Sequence, residues 1–225
     1  MRVLWLFLIV GSMAQEDMDR NIFFFPKRSV DDYVLLTPTM TGSLNKFTVC
    51  LRSYAQHGRS ALFIVGNPES KIHNMFVIFQ STLPYSKPYF DSSIYINNSQ
   101  VSITAKADIL EWIHRCVTWD SDTGVLQHWV NGKVSPLAVL QRGFSIDLQD
   151  GISLGQMRRN GATGWDPQAS FQGEISDVHM WNEVLSPETI RQVLLNNRDI
   201  NGNVISWRSL SYTIKGDVIV QPKLY

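Results

Sequence analysis

The sequence predicts an all-β sandwich of two sheets with a single helix added to one face. Short apolar runs recur along the chain with turn residues between them, a spacing that favours a sandwich over a parallel α/β sheet. Asn131-Gly132 closes the run Val125 to Val130 and is the strongest short hairpin signal a sequence carries. Cys116 sits in mid-strand close to Trp119, the pattern of a disulfide packed against an aromatic ring.

In chain order, Ile22 to Phe25 is an apolar strand stopped by Pro26, and Tyr33 to Leu36 is a second, closed by Thr37-Pro38. Phe47 to Arg52, Leu62 to Val65 and Phe76 to Phe79 follow, the last two separated by the loop residues Gly66 to Ser70. Ser81 to Ser93, rich in Pro, Ser and Tyr, reads as a loop. Ile94 to Ile96 and Val101 to Thr104 flank Asn97-Asn98-Ser99, an acceptor triplet for N-glycosylation at Asn97. Ile113 to Trp119 and Val125 to Val130 are strands joined by the polar turn Asp120 to Gly124. Val134 to Leu140, Gly151 to Gly155 and Phe171 to Trp181 come next, with a polar loop from Gln156 to Gln168. One helix interrupts the pattern. Ser186 suits its N-cap, Pro187 its first position and Glu188 its positive end, while Ile190, Val193 and Leu194 share a face and Asn196-Asn197 is the stop. Val204 to Trp207 and Val218 to Val220 are read as further strands.

Residues 1–14 read as a secretory leader rather than as part of the fold. Arg2 precedes the apolar run Leu4 to Val10, and Ser12-Met13-Ala14 has a small-x-small cleavage pattern. The alternative is a buried N-terminal strand; the run is too short for a bilayer, which takes about 20 residues. The expected product is a secreted chain of residues 15–225 forming one domain, with no membrane span. Its basic and acidic residues nearly balance, so bulk charge does not suggest nucleic acid or anionic membrane as a partner. Outside the cell the only two cysteines, Cys50 and Cys116, are expected to pair, two free thiols being the alternative.

His114, Cys116, Thr118, Trp119 and Ser121 also meet every fixed position of the pattern His-x-Cys-x-Thr/Ser-Trp-x-Ser/Thr, and the chain resembles the short pentraxins there. Phe25-Pro26-Lys27, Phe47 to Cys50, Gly132-Lys133, Leu154-Gly155-Gln156, Met180-Trp181, Leu185-Ser186-Pro187 and Asn203 to Trp207 resemble family segments in family order. The resemblance implies a jelly roll of the legume-lectin type, one long helix on a single face, a Cys50–Cys116 bridge and a flat ring, usually of five subunits. It implies a pattern-recognition binding protein of innate immunity with two calcium ions per subunit. Those ions would hold phosphorylated or carbohydrate ligands of cell or microbial surfaces on the face opposite the helix.

The calcium positions depart from the family pattern. Calcium needs a cluster of oxygen ligands, several of them carboxylates. Here Asn74 and Asp166 are retained, whereas His73, Met157, Arg158, Arg159 and Ala169 stand where the resemblance places other ligands. Only the backbone carbonyl of Arg158 could still coordinate there, against two nearby positive charges. Calcium binding is therefore expected to be weak or lost. Phe79 matches the family's contact for choline methyls, with ordinary strand packing as the alternative, and Gln100 replaces the carboxylate that would face the choline ammonium. Arg158 and Arg159 are expected either to lie in solvent or to bind phosphate or sulfate in place of the metal.

No catalytic constellation stands out. His57, His73, His114, His128 and His179 lack zinc spacing, and Glu174 and Asp177, three apart, are expected on opposite faces of their strand. An enzyme is not expected. A pentraxin scaffold that has lost its ligand face and works as an interaction protein is the other reading.

Overall fold

The computed structural model describes residues 15–55, 58–66, 74–82, 89–106, 111–158 and 164–224. The leader lies outside them. Strands β1 (Asn21–Phe25), β2 (Tyr33–Thr37), β3 (Ser43–Leu44), β4 (Lys46–Tyr54), β5 (Ser60–Val65) and β6 (Phe76–Thr82) form the first half. They are followed by β7 (Tyr89–Ile96), β8 (Ser99–Lys106), β9 (Ile113–Asp120), β10 (Val125–Val130), β11 (Lys133–Val134) and β12 (Ala138–Val139). The chain closes with β13 (Ile146–Asp147), β14 (Ile152–Leu154), β15 (Gly173–Trp181), helix α1 (Pro187–Leu194), β16 (Ser211–Lys215) and β17 (Ile219–Pro222).

Two antiparallel sheets make the sandwich. One runs β11-β10-β9-β4-β15-β1-β17, with β12 also on β10, and the other runs β16-β2-β14-β5-β6-β7-β8. Between them lies one apolar core that includes Phe23, Phe47, Phe63, Phe76, Trp119 and Trp207. A second cluster covers the outer face of the first sheet, where Ile190 of α1 packs on Trp129, Trp181 and the disulfide joining Cys50 to Cys116. The single helix therefore sits on one face, as the sequence suggests.

Local signals set the connections. Asn131 and Gly132 both adopt positive φ (46° and 77°), as the hairpin turn between β10 and β11 requires, and Asn97 and Asn98 do the same between β7 and β8. Ser186 caps α1 by accepting the Thr189 amide. Beyond α1, Asn196 turns left-handed (φ 59°), and the Asn197 amide reaches back to the Gln192 carbonyl, which stops the helix where the sequence places its end. The helix is eight residues, shorter than the family resemblance implies.

Four expectations are corrected. The stretch Ser81 to Ser93 is not all loop: β6 extends to Thr82 and β7 begins at Tyr89, because polar residues such as Asp91 and Thr104 face outward on adjoining strands and bond to each other (2.8 Å). Val204 to Trp207 is not a strand but one isolated bridge, Met180 to Ile205, followed by a 3-10 turn over Trp207–Ser209. The imidazole of His179 explains this, its Nδ1 accepting the amides of Gly202 (3.2 Å) and Trp207 (3.4 Å). Third, Ser211–Lys215 is a full edge strand on β2, although nothing in the sequence reading marked it. Finally, Glu174 and Asp177 share a face. A bulge between Ser176 and His179 inserts a residue, and Ile175, Val178 and Met180 take the core positions. Asp177 (φ 51°) turns to Arg52 (3.3 Å) and Lys223 (2.8 Å) on the helix side.

One corner of the interior is polar. Arg115, fully buried, donates to Ser53 Oγ (2.6 Å) on β4, and across the sandwich to Gln80 Oε1 (2.8 Å) and Ser92 Oγ (3.3 Å), and it stacks on Phe90 (5.1 Å).

Candidate functional site

The face opposite the helix is built on β5, β6 and β7. Ala61 to Val65 of β5 and Phe76 to Phe79 of β6 are continuous apolar runs, as strand segments covered on two sides must be. A bulge between Ala61 and Phe63 turns Leu62 and Phe63 to the core and leaves Ala61 and Ile64 outward. Val77 and Phe79 of β6 point the same way, and Ala169 joins them in a small outer cluster against which Tyr95, Met157 and Trp165 pack.

The described residues on either side of 159–163, from Gly155 to Arg158 and from Gly164 to Ser170, lay Met157 and Trp165 over the sheet. Gly155 is required at the start of the first stretch: its φ is +88°, and a Cβ there would stand 2.5 Å from the Phe25 ring. Gln156 is buried, its Oε1 accepting from Ser170 Oγ (3.2 Å) and its Nε2 donating to the carbonyls of Ser29 and Asp32. Arg158 and Trp165 form a β-bridge, and the Asp166 amide donates to the Met157 carbonyl (2.9 Å). Asp166 then caps a short 3-10 turn, its Oδ1 accepting the Gln168 amide (3.0 Å). Arg28 braces the end of the turn through the carbonyls of Ser170 (3.1 Å) and Gln168 (2.9 Å), and also reaches the carbonyl of Arg59.

The structure brings several of the predicted site residues together. Asn74, buried and at φ 43°, grips the Arg158 peptide with both ends of its carboxamide: Nδ2 donates to the Arg158 carbonyl (3.0 Å) and Oδ1 accepts the Arg158 amide (3.1 Å). The residue itself is 8% exposed, which corrects the expectation of a solvated arginine. Its backbone folds inward against Asn74, so the side chain cannot trail in solvent. Met157 and Ala169 belong to the apolar cluster, and Phe79, 3% exposed, lies beneath it. Gln100 is exposed on β8 and donates to Ser102 Oγ (2.6 Å) and Ser93 Oγ (3.2 Å). His73 and Arg159 lie outside the described residues. Asn97 sits apart, in the β7–β8 turn, with its amide donating to Gln141 Oε1 (3.5 Å).

Sequence reasoning missed Arg59. Its guanidinium lies over the Phe79 ring at 5.7 Å from the centroid, while Tyr95 meets the same ring edge-on at 6.2 Å. Burial pushes the Tyr95 hydroxyl above its ordinary pKa, and the Arg59 charge pulls the other way, which places that charge within reach of the phenol. No local pattern announces this contact, because residues 59 and 79 meet only through the β5–β6 pairing.

The described donor set does not fit calcium. The oxygen of Asn74 is occupied by a backbone amide, one oxygen of Asp166 is occupied as a cap, and Met157 and Ala169 offer apolar surface. Among the described residues the only convergent set of three metal-ligating side chains is Cys50, His114 and Cys116, whose sulfurs are already joined in the disulfide.

Fold and signature are now accompanied by a direct match. A family model described as the Pentaxin family matches residues 21–222. The chain belongs to the pentraxin family. Among pentraxins it is 42% identical to C-reactive protein of Xenopus laevis over 221 residues, covering 98% of this chain and 90% of that one. It is 34% identical to serum amyloid P-component of Rattus norvegicus, covering 97% and 92%. A heptameric SAP-like pentraxin from Limulus polyphemus has the same fold, with a TM-score of 0.78 at 22% identity over 92% of this chain and 97% of that one. The jelly-roll sandwich is therefore the fold of this pentraxin. Among the described residues, no helix is long and apolar enough to cross a membrane.

Proposed function

We propose that this pentraxin is a secreted pattern-recognition protein that binds phosphorylated or otherwise anionic carbohydrate ligands without calcium. The observation that carries this reading is the clamp of Asn74 on the Arg158 backbone, together with the packing of Met157 and Ala169 in the apolar cluster around Phe79. Contacts among the described residues of this loop support a face that does not need a metal to hold it. Positive charge on this face then comes from arginine, which recognises oxyanions bidentately.

The ring implied by the family repeats the site around an axis, so weak single sites add up on a surface. The Limulus relative is described as heptameric and the rat relative by its presence in serum; for this chain we take a homo-oligomeric ring, five subunits by family resemblance, released after cleavage at Ala14. Asn97, in an exposed-edge turn, would carry the glycan. The carboxylates of Glu174 and Asp177 lie on the helix side of the sandwich and Asp177 is engaged by Arg52 and Lys223, which supports a binding protein rather than a hydrolase.

A second reading keeps the scaffold and gives up ligand binding. The burial of Phe79 favours it, since little of that ring is left for a ligand. Retention on phosphate-bearing and sulfated surfaces in chelator separates the two: binding supports the first reading, and no binding with or without calcium leaves the interaction protein.

A further inference from the structure

The geometry points to Arg59, stacked on Phe79, as the anchor for a phosphate or sulfate monoester and as the group that turns a choline headgroup away. The inference rests on the metal-free reading above and assigns it a residue.

Three observations carry it. First, Arg59 is exposed, yet its position is fixed by the aromatic face under it. Among the described residues no carboxylate pairs with its guanidinium and no acceptor takes its hydrogen bonds; only its backbone carbonyl is engaged, by Arg28. An exposed guanidinium held over a ring is preorganised for bonds to an oxyanion. Second, among the described residues no carboxylate is paired with that charge. The Arg28 guanidinium touches the Arg59 carbonyl, and Gln100, on β8 two strands from Phe79, is neutral. Third, the Phe79 face already holds a cation. A quaternary ammonium that sought the same face would have to displace Arg59 and would meet its charge at close range, with no carboxylate at position 100 to offset it. The same contact therefore favours an anion and disfavours choline. Of the pair Arg158 and Arg159 that the sequence put forward, Arg158 is committed through its backbone to Asn74 and is 8% exposed, and Arg159 lies outside the described residues.

The oxyanion could sit on a lipid headgroup or on a sulfated glycan, and both are probed. The full secreted protein is passed in chelator over vesicles of phosphatidic acid in a phosphatidylcholine carrier, over phosphatidylcholine alone, and over immobilised heparin. The wild type is expected to bind phosphatidic acid or heparin, the responsive surface naming the source, and to leave phosphatidylcholine alone. Arg59→Gln should lower that binding at least tenfold, with Arg59→Lys recovering part of it as a point charge. Melting temperatures should match the wild type, because the side chain is exposed. Arg59→Gln binding both anionic surfaces like the wild type overturns the assignment while the metal-free reading stands. A wild type that binds neither surface in chelator overturns both.

Discussion

Asn74 Nδ2 and Oδ1 hold the carbonyl and amide of Arg158 at 3.0 and 3.1 Å, joining the start of β6 to the loop after β14 across 84 residues of chain. The pair gives a buried backbone amide and carbonyl side-chain partners, using the oxygen that the family resemblance would offer to a metal. Under the metal-free reading, this contact, rather than a bound ion, joins the described part of the loop to β6.

Asn74→Ala should lower stability by about 1 to 3 kcal/mol, since it strands a buried amide and carbonyl. The loss should be the same in calcium and in chelator, measured by thermal melting. A loss seen in chelator alone would place the metal, not the carboxamide, in charge of the loop.

The hairpin turns and helix caps were legible in the sequence because their signals are local: Asn131-Gly132, Ser186-Pro187 and Asn196 act within a few residues. The sandwich class followed from strand spacing. What was not legible depends on register. A one-residue bulge puts Asp177 beside Arg52 on the helix side, and pairing of β5 with β6 brings Arg59 over Phe79. The site positions were legible as departures from a family pattern, yet their surroundings were not, because the packing of Met157 against the cluster that holds Val77 and Phe79 is tertiary.

Acid should destabilise the fold through its buried imidazoles. Burial lowers His114 and His128 to about 3 and His179 to about 4, with Arg115 and Arg52 or Arg208 adding repulsion. All three are neutral when folded, while the unfolded chain takes up protons below about 6.5. Stability is thus full above pH 6.5, declines as pH falls below it, and levels off once the folded values near 3 are passed. At pH 5 each imidazole should cost about 2 kcal/mol relative to pH 7.5. Urea denaturation at the two pH values checks this, and His179→Asn should flatten the dependence; an unchanged midpoint would contradict the buried neutral imidazoles.

Arg115 is a buried cation whose acceptors are all neutral. Arg115→Met combined with Gln80→Leu should cost less than Gln80→Leu alone, since replacing both partners by apolar chains removes the desolvation cost without leaving a buried charge short of its acceptor. Gln80→Leu should destabilise by about 3 kcal/mol or more, because it removes an acceptor and leaves the charge. Chemical denaturation of the two variants is the check, and the opposite ranking would mean that the guanidinium is a net stabiliser.

Removing the bridge by Cys50→Ala with Cys116→Ala should cost about 4 kcal/mol on the chain-entropy model, for a loop of 66 residues. The joined sulfurs also support Trp129 and Ile190, so α1 should lose protection from hydrogen exchange before the interior between the sheets does.

The central claim is that protein atoms have taken the place of calcium on this face. Its most direct test is calorimetric titration of the purified secreted chain with calcium, together with melting curves in calcium and in chelator. The account predicts no heat of binding up to millimolar calcium and identical melting temperatures. Saturable binding at millimolar calcium or tighter, with a calcium-dependent rise in melting temperature, would contradict it.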